Sequence, residues 1–251
     1  MAPWPVITVA GGVVGGLMGL FGVGGSSVAT PVLSLLGVPP LVAVASPLVA
    51  TIPGATIAAV PYVRRGDARP KAAAWSLLGA VPATIVGALL SRFVGGPALL
   101  IASGVVLLVV GVRVLLPIED AAREAGTRRR QNRPLLVASA AGLGLFTGLL
   151  ANGGGFLLMP LYLLVFGLRM RQAVGTSLLV IAVLSIPTLI THWALGHIDW
   201  AVAVAFTVGL VPASLAGAHL SSHLAGGVQR RAFGVFLIGF GTLFTLYRLV
   251  S

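Results

Sequence analysis

A chain of 251 residues that is 57% hydrophobic and 8% charged, with a mean hydropathy of +1.06, reads as a membrane protein, since soluble domains carry roughly 25% charged residues. Its net charge of +11 does not point to nucleic acid, because most of the basic residues fall in short loops between apolar runs with no interleaved aromatics. With no cysteine there is neither a disulfide framework nor a thiolate metal site.

The start, Met1-Ala2-Pro3-Trp4-Pro5, has no basic stretch before its apolar run, so the first segment is expected to stay in the mature protein. The first predicted helix covers 6–20. It runs into Gly19-Leu20-Phe21-Gly22-Val23-Gly24-Gly25-Ser26-Ser27, where glycines interrupt the apolar run. A helix resumes over 26–36, with Pro31 inside it, and longer helices follow over 41–62, 72–94 and 98–116. After a polar stretch at 117–134 the pattern starts again. Helix 135–150 meets a second break, Gly148-Leu149-Leu150-Ala151-Asn152-Gly153-Gly154-Gly155. Then come 156–166 with Pro160, 173–195, 200–224 and 228–249. The longer helices approach the about 20 residues that cross a bilayer core. The two short pieces that open each half are only roughly 24 Å and 16 Å long. Each pair forms either a re-entrant hairpin with the glycines at its tip or two thin spans.

The two halves repeat. Gly19, Gly24, Gly25 and Pro31 align with Gly148, Gly153, Gly154 and Pro160 at an offset of 129. One inserted residue moves the offset to 130, and Gly37, Ala43, Ser46 and Gly66 then face Gly167, Ala173, Thr176 and Gly196. Seven of the eleven positions from Val81 to Ser91 are identical to those from Val211 to Ser221. The expected organisation is a first membrane repeat at 1–116, a basic linker at 117–134 and a second membrane repeat at 135–251.

The basic residues fix the sides. They crowd four places: Arg64, Arg65, Arg69 and Lys71; Arg123, Arg128, Arg129, Arg130 and Arg133; Arg169 and Arg171; Arg230 and Arg231. All four are expected in the cytoplasm. Their repeat partners are nearly uncharged: Ala194 and Leu195 stand opposite Arg64 and Arg65, and Pro39 and Leu41 opposite Arg169 and Arg171. Equivalent loops with opposite charge bias imply halves inserted in opposite orientation, the inverted-repeat architecture of many secondary transporters. The fold class expected is an all-α polytopic membrane protein of two inverted repeats, with both termini outside and the linker inside.

In hydrocarbon a broken helix exposes backbone N–H and C=O groups at several kcal/mol each, so a break persists only where protein, a cavity or a ligand satisfies them. A helix resuming after a break offers free N–H groups and the positive end of its dipole to an anion. Gly24, Gly25, Ser26 and Ser27 form the first candidate site, and Asn152, Gly153, Gly154 and Gly155 the second. Ser46, Thr176 and Ser177, with Thr30 and Thr51, are candidates to line the cavity between them. The glycines Gly11, Gly15 and Gly19 instead read as a small-residue packing seam. His192, His219 and His223 are candidates for proton coupling, with His219 deepest in its span. All five acids lie in loops or at helix ends, which argues against a cation site or a carboxylate relay. No catalytic or nucleotide motif is present, so neither an enzyme nor a cofactor is expected.

The segment Gly15–Pro31, with its Gly-Leu-Phe-Gly-Val-Gly-Gly-Ser core, resembles the sulfite exporter TauE/SafE family. Its echo at Gly144–Pro160, followed by Ala173-Val174-Gly175-Thr176-Ser177, is similar but lacks the serines after the glycines. The resemblance implies a permease of the bacterial cytoplasmic membrane that moves sulfite or a small organosulfonate, usually outward. The residues themselves reach a small anion and the lipid bilayer as partners, but not sulfur. An anion channel and a non-transporting membrane scaffold or assembly protein are the alternatives. Proton coupling, homo-oligomerisation and the direction of transport stay open.

Overall fold

The computed structural model of the chain describes residues 3–90, 108–116, 133–149 and 157–250. These are helices and the turns between them, with no strand among the described residues. The first repeat gives α1 (Trp4–Phe21), α2 (Gly25–Leu35), α3 (Pro40–Arg64) and α4 (Pro70–Leu90), followed by a helical piece at 108–115. The second gives α5 (Arg133–Leu149), α6 (Leu158–Pro160, continued by a wider π-type turn Leu161–Val165), α7 (Met170–Ala194), α8 (Trp200–His223) and α9 (Gly226–Val250). The second glycine break, Asn152 to Gly155, and almost all of the linker lie outside the described residues.

The first helix is longer than expected. It starts at Trp4 rather than at 6, because Pro5 falls in its first turn, where a missing N–H costs nothing. At 18 residues it measures roughly 27 Å and joins α3, α7 and α8 as a helix long and apolar enough to cross a membrane. α2 has 11 residues, too few to cross alone. α3 and α7 likewise begin one and three residues earlier than expected, each opening after an extended residue, Pro39 and Arg169. The aligned glycines explain the helix ends. Gly37 and Gly167 (φ 77° and 59°), and Gly66 and Gly196 (φ 70° and 69°), hold the left-handed conformation just past a helix end, which side chains rarely adopt.

The solvent preference of the fold is inverted relative to a soluble protein. Val9 and Val13 of α1 and Val204 and Val208 of α8 are more than half exposed, while Ser26, Ser46, Thr51, Thr176, Ser177, Ser214 and Gln229 are buried. Apolar outer faces and hydroxyls turned inward are what a hydrocarbon solvent selects.

Glycine seams bring the helix backbones together. In α1, an added Cβ on Gly11, Gly15 or Gly19 would collide with the carbonyl of Phe206, Leu210 or Ser214 of α8. The numbers rise together, so α1 and α8 run parallel. The same seam occurs between α4 and α5: Gly79 meets Val137 and Gly87 meets Leu145. These contacts are reciprocal between repeats. Gly15 on Leu210 is matched by Gly144 on Ala80, and Gly79 on Val137 by Gly209 on Thr8. Each pair exchanges a residue for its repeat partner, the rule for surfaces related by a two-fold operation. Between the equivalent helices α3 and α7, Gly175 near the start of α7 packs on Tyr62 near the end of α3. Ser46, near the start of α3, meets Asp199, just past the end of α7. The two equivalents are therefore antiparallel.

The basic turns gather at one end of this bundle. Arg171 donates 3.0 Å hydrogen bonds to the carbonyls of Ser222 and Leu224 at the end of α8. The amide of Arg69 donates to Thr176 Oγ1, five residues along α7 from Arg171. Arg64 and Arg65 share a cleft with His219 of α8.

Candidate functional site

The first break is deep inside the bundle. Every residue from Phe21 to Ala29 is buried. α1 ends on Gly22, whose left-handed φ of 68° lets its amide return to Met18 O at 2.8 Å. Gly24 is extended, and α2 restarts at Gly25 with no side chain capping its N-terminus and no acidic residue in its first turn. The Ser27 amide returns to Gly24 O at 3.2 Å, and the amides before it, with the positive end of the helix dipole, have no side-chain cap.

The two sides of the break are treated differently. The carbonyls at the end of α1 are satisfied by side chains from three other helices. Tyr62 of α3 donates to Gly19 O at 2.8 Å. Ser177 of α7 donates to Gly22 O at 2.9 Å. Gln229 of α9 donates to Leu20 O and, at 2.9 Å, to Ser221 Oγ. Phe21 stacks on Phe236 and tilts against Phe233. The C-terminal half of the break is a fixed structural joint. The N-terminal half is not: Ser26, 1% exposed, has a buried hydroxyl with no hydrogen-bond partner. A buried orphan hydroxyl costs about 1–3 kcal/mol, and it stands beside uncapped amides on the first turn of α2.

The wall around Gly25 is close. A Cβ there would stand 3.0 Å from Thr51 Oγ1, 3.2 Å from Leu210 Cδ1 and 3.2 Å from Met18 Sδ. Thr51 already donates to Pro47 O at 2.9 Å, so one of its lone pairs, and not its proton, faces the break. Ser27 is also buried.

Of the residues singled out from the sequence, the structure brings Gly24, Gly25, Ser26, Ser27, Thr51 and Ser177 to the first break. Ser46 and Thr176 are buried but bond elsewhere. Ser46 accepts from the Asp199 amide and Thr176 from the Arg69 amide, each at 3.1 Å, so they fasten the start of one repeat's fourth helix to the third helix of the other. Thr30 returns to Ser26 O at 2.8 Å. Asn152, Gly153, Gly154 and Gly155 lie outside the described residues. The histidines do not enter this site. His219, expected deepest, sits on an outward face of α8 and is exposed, as is His223, and His192 meets His197 with their Nδ1 atoms 3.2 Å apart at the far end of α7. Helical position gives depth along a span but not the direction a side chain faces.

Sequence reasoning missed Tyr62 and Gln229. Tyr62 lies one residue inside the end of an apolar run and Gln229 precedes a basic pair, so both look like interfacial residues. The only signal was an amide and a phenol close to, but inside, the helix ends.

A bundle with apolar outer faces, hydroxyls inside and a broken helix at its centre defines an integral membrane protein built around an internal polar site. The sequence profile of the sulfite exporter TauE/SafE family matches residues 7–244, and the chain belongs to that family. It is a membrane transporter and not an enzyme. A relative from Xylella fastidiosa (strain 9a5c), called a probable membrane transporter protein, is 29% identical over 243 residues, covering 93% of this chain and 92% of its own. Two Bacillus subtilis (strain 168) relatives, the probable membrane transporter proteins YunE and YjnA, are each 27% identical. They cover 81% and 86% of this chain, and 84% and 89% of their own lengths. No solved structure matches the chain.

Proposed function

We propose that this transporter moves a small oxyanion of sulfur, sulfite or a small organosulfonate, outward across the cytoplasmic membrane. The site is the start of α2, where the amides of Gly25 and Ser26 and the Ser26 hydroxyl face the anion, with Ser27 beside them. Asn152, Gly153, Gly154 and Gly155 complete it from the second repeat. The observation that carries this reading is the buried, unpartnered hydroxyl of Ser26 on an uncapped helix N-terminus. Such a site binds an anion without a charged side chain, and neither α2 nor Thr51 brings a carboxylate to repel it. Sulfur as the central atom rests on the family's name.

The orientation proposed with it is inverted. The antiparallel packing of α3 against α7 supports it, as do the reciprocal contacts between repeats. The gathering of Arg64, Arg65, Arg69 and Arg171 at one end supports placing that end in the cytoplasm. Linker 117–134 is then cytoplasmic, both termini lie outside, and the site falls near the repeat interface.

The test is flux of radiolabelled sulfite, sulfate and small sulfonates in proteoliposomes. Saturable uptake with counterflow, competed by sulfite and absent from Ser26→Asp, is expected. Unitary conductance without counterflow would make the protein a channel, and no flux of any anion would remove the reading.

A further inference from the structure

A second polar feature lies on the outer surface of the bundle. The ends of α3 and α8 enclose a cleft of about 410 Å³ lined by Ile57, Val60, Arg64, Arg65, Leu215 and His219. Its composition is graded. Arg64, Arg65 and His219 are exposed, while Ile57, Val60 and Leu215 form its apolar walls. From Ile57 to Arg64 is seven residues along one helix, or about 10 Å. The cleft is therefore cationic at the level where a span ends and apolar below it.

The charge is in excess of what the helices need. Two helix C-termini present about −0.5 charge each, against two guanidiniums. Among the described residues no carboxylate lines the cleft; Asp67, two residues past Arg65, lies outside the lining. Neither guanidinium has a hydrogen-bond or ion-pair partner among the described residues. The repeat supplies an internal control. The residues equivalent to Ile57, Val60, Arg64, Arg65, Leu215 and His219 are Pro187, Ile190, Ala194, Leu195, Ile85 and Leu89. The equivalent positions of the other helix pair thus carry no charge, so the pair can pack without the basic group.

We propose that this cleft binds one anionic phospholipid, with its phosphodiester on Arg64 and Arg65 and one acyl chain along Ile57, Val60 and Leu215. A basic rim above an apolar groove on the outer face of a membrane bundle matches the two chemistries of such a lipid at their proper separation. A soluble anion would use the rim and have no use for the walls.

The experiment uses the full-length chain, delipidated in neutral detergent. Lipid retention is read by native mass spectrometry and thermal unfolding, with phosphatidylglycerol, phosphatidylcholine or glycerol 3-phosphate added. One phosphatidylglycerol retained per chain, with a higher unfolding temperature than phosphatidylcholine gives, is expected. Arg64→Gln with Arg65→Gln should weaken retention roughly 30-fold, at about 1 kcal/mol per basic residue. Lys71→Gln with Arg231→Gln removes the same charge elsewhere and should leave it unchanged. Should the arginine double variant fail to fold, Val60→Trp, which keeps both arginines and obstructs the groove, must lose the lipid. Equal retention of the two lipids, or retention by both the arginine variant and Val60→Trp, overturns the proposal. So does stabilisation by glycerol 3-phosphate as strong as by phosphatidylglycerol, which would make the cleft a site for a soluble anion.

Discussion

Ser46 Oγ accepts a 3.1 Å hydrogen bond from the amide of Asp199, and their repeat partners Thr176 and Arg69 make the same bond at the same length. Each hydroxyl on the third helix of one repeat holds the entrance of the fourth helix of the other. The bond leaves Asp199 free to cap α8 with its carboxylate, which accepts from the amides of Ala201 and Val202 at 2.9 and 3.1 Å. The interface between halves is therefore clamped twice by one device.

This clamp should be measurable at both ends. Ser46→Ala and Thr176→Val each leave a loop amide without its partner, and about 1–3 kcal/mol of stability should be lost from each. The two losses should be similar and nearly additive, because the sites share no partner. Denaturant or thermal unfolding in detergent checks this. A loss at one site alone would show that the two bonds are not energetically equivalent.

The α1–α8 seam predicts a sharp contrast between neighbouring glycines. A Cβ at Gly15 would run into the backbone of Leu210, whereas one at Gly16 meets nothing within 4 Å. Gly15→Val should cost more than the about 1–3 kcal/mol of ordinary overpacking, since a backbone cannot turn aside as a side chain can. Gly16→Ala should leave the folded yield unchanged. Size-exclusion profiles of the two variants, expressed alike, decide it.

At the break the prediction concerns transport and not stability. Ser26→Ala removes an orphan hydroxyl, so the folded protein should be as stable as the parent or slightly more so. If that hydroxyl donates to a bound oxyanion, a bond to a charged group worth about 1.5–3 kcal/mol is lost, or roughly 10- to 100-fold in affinity. Gly25→Val and Gly154→Val should each abolish flux. Sulfite flux and protein level in the same membranes provide the check, and unchanged affinity in Ser26→Ala would remove Ser26 from the site.

The joint at the end of α1 should behave in the opposite way. Gln229→Leu withdraws the donor from Leu20 O and from Ser221. A carbonyl left bare inside the bundle costs about 1–3 kcal/mol, so a lower unfolding temperature is expected. Tyr62→Phe, which bares Gly19 O, should fall in the same range.

Orientation is accessible because the chain has no cysteine. Single cysteines replacing Thr127 and Gly96 should differ in intact cells: the first shielded from an impermeant thiol reagent, the second labelled. Equal labelling of both from outside would contradict the inverted arrangement.

The helices were legible in the sequence because, in hydrocarbon, a span must satisfy its own backbone. Apolar runs, glycines past their ends and prolines in first turns therefore mark boundaries locally, as at Trp4, Gly37 and Gly66. The repeat was legible for the same reason: equivalent helices need equivalent caps and seams, and Gly15 with Gly144 kept theirs. The first glycine break was visible too, and with it Ser26. Which hydroxyls face that break was not. Ser46 and Ser177 look alike along the chain, yet one clamps a loop and the other caps Gly22 O, because facing depends on how α3, α7 and α8 cross. Tyr62 and Gln229 reach the end of α1 from 43 and 209 residues away, a distance only tertiary packing closes. Composition and glycine spacing thus determined a helical membrane protein with a broken helix. Which side chains satisfy the break, and that the Ser26 hydroxyl is left without a partner there, were decided by the close parallel approach of α1 to α8 and the antiparallel crossing of α3 and α7.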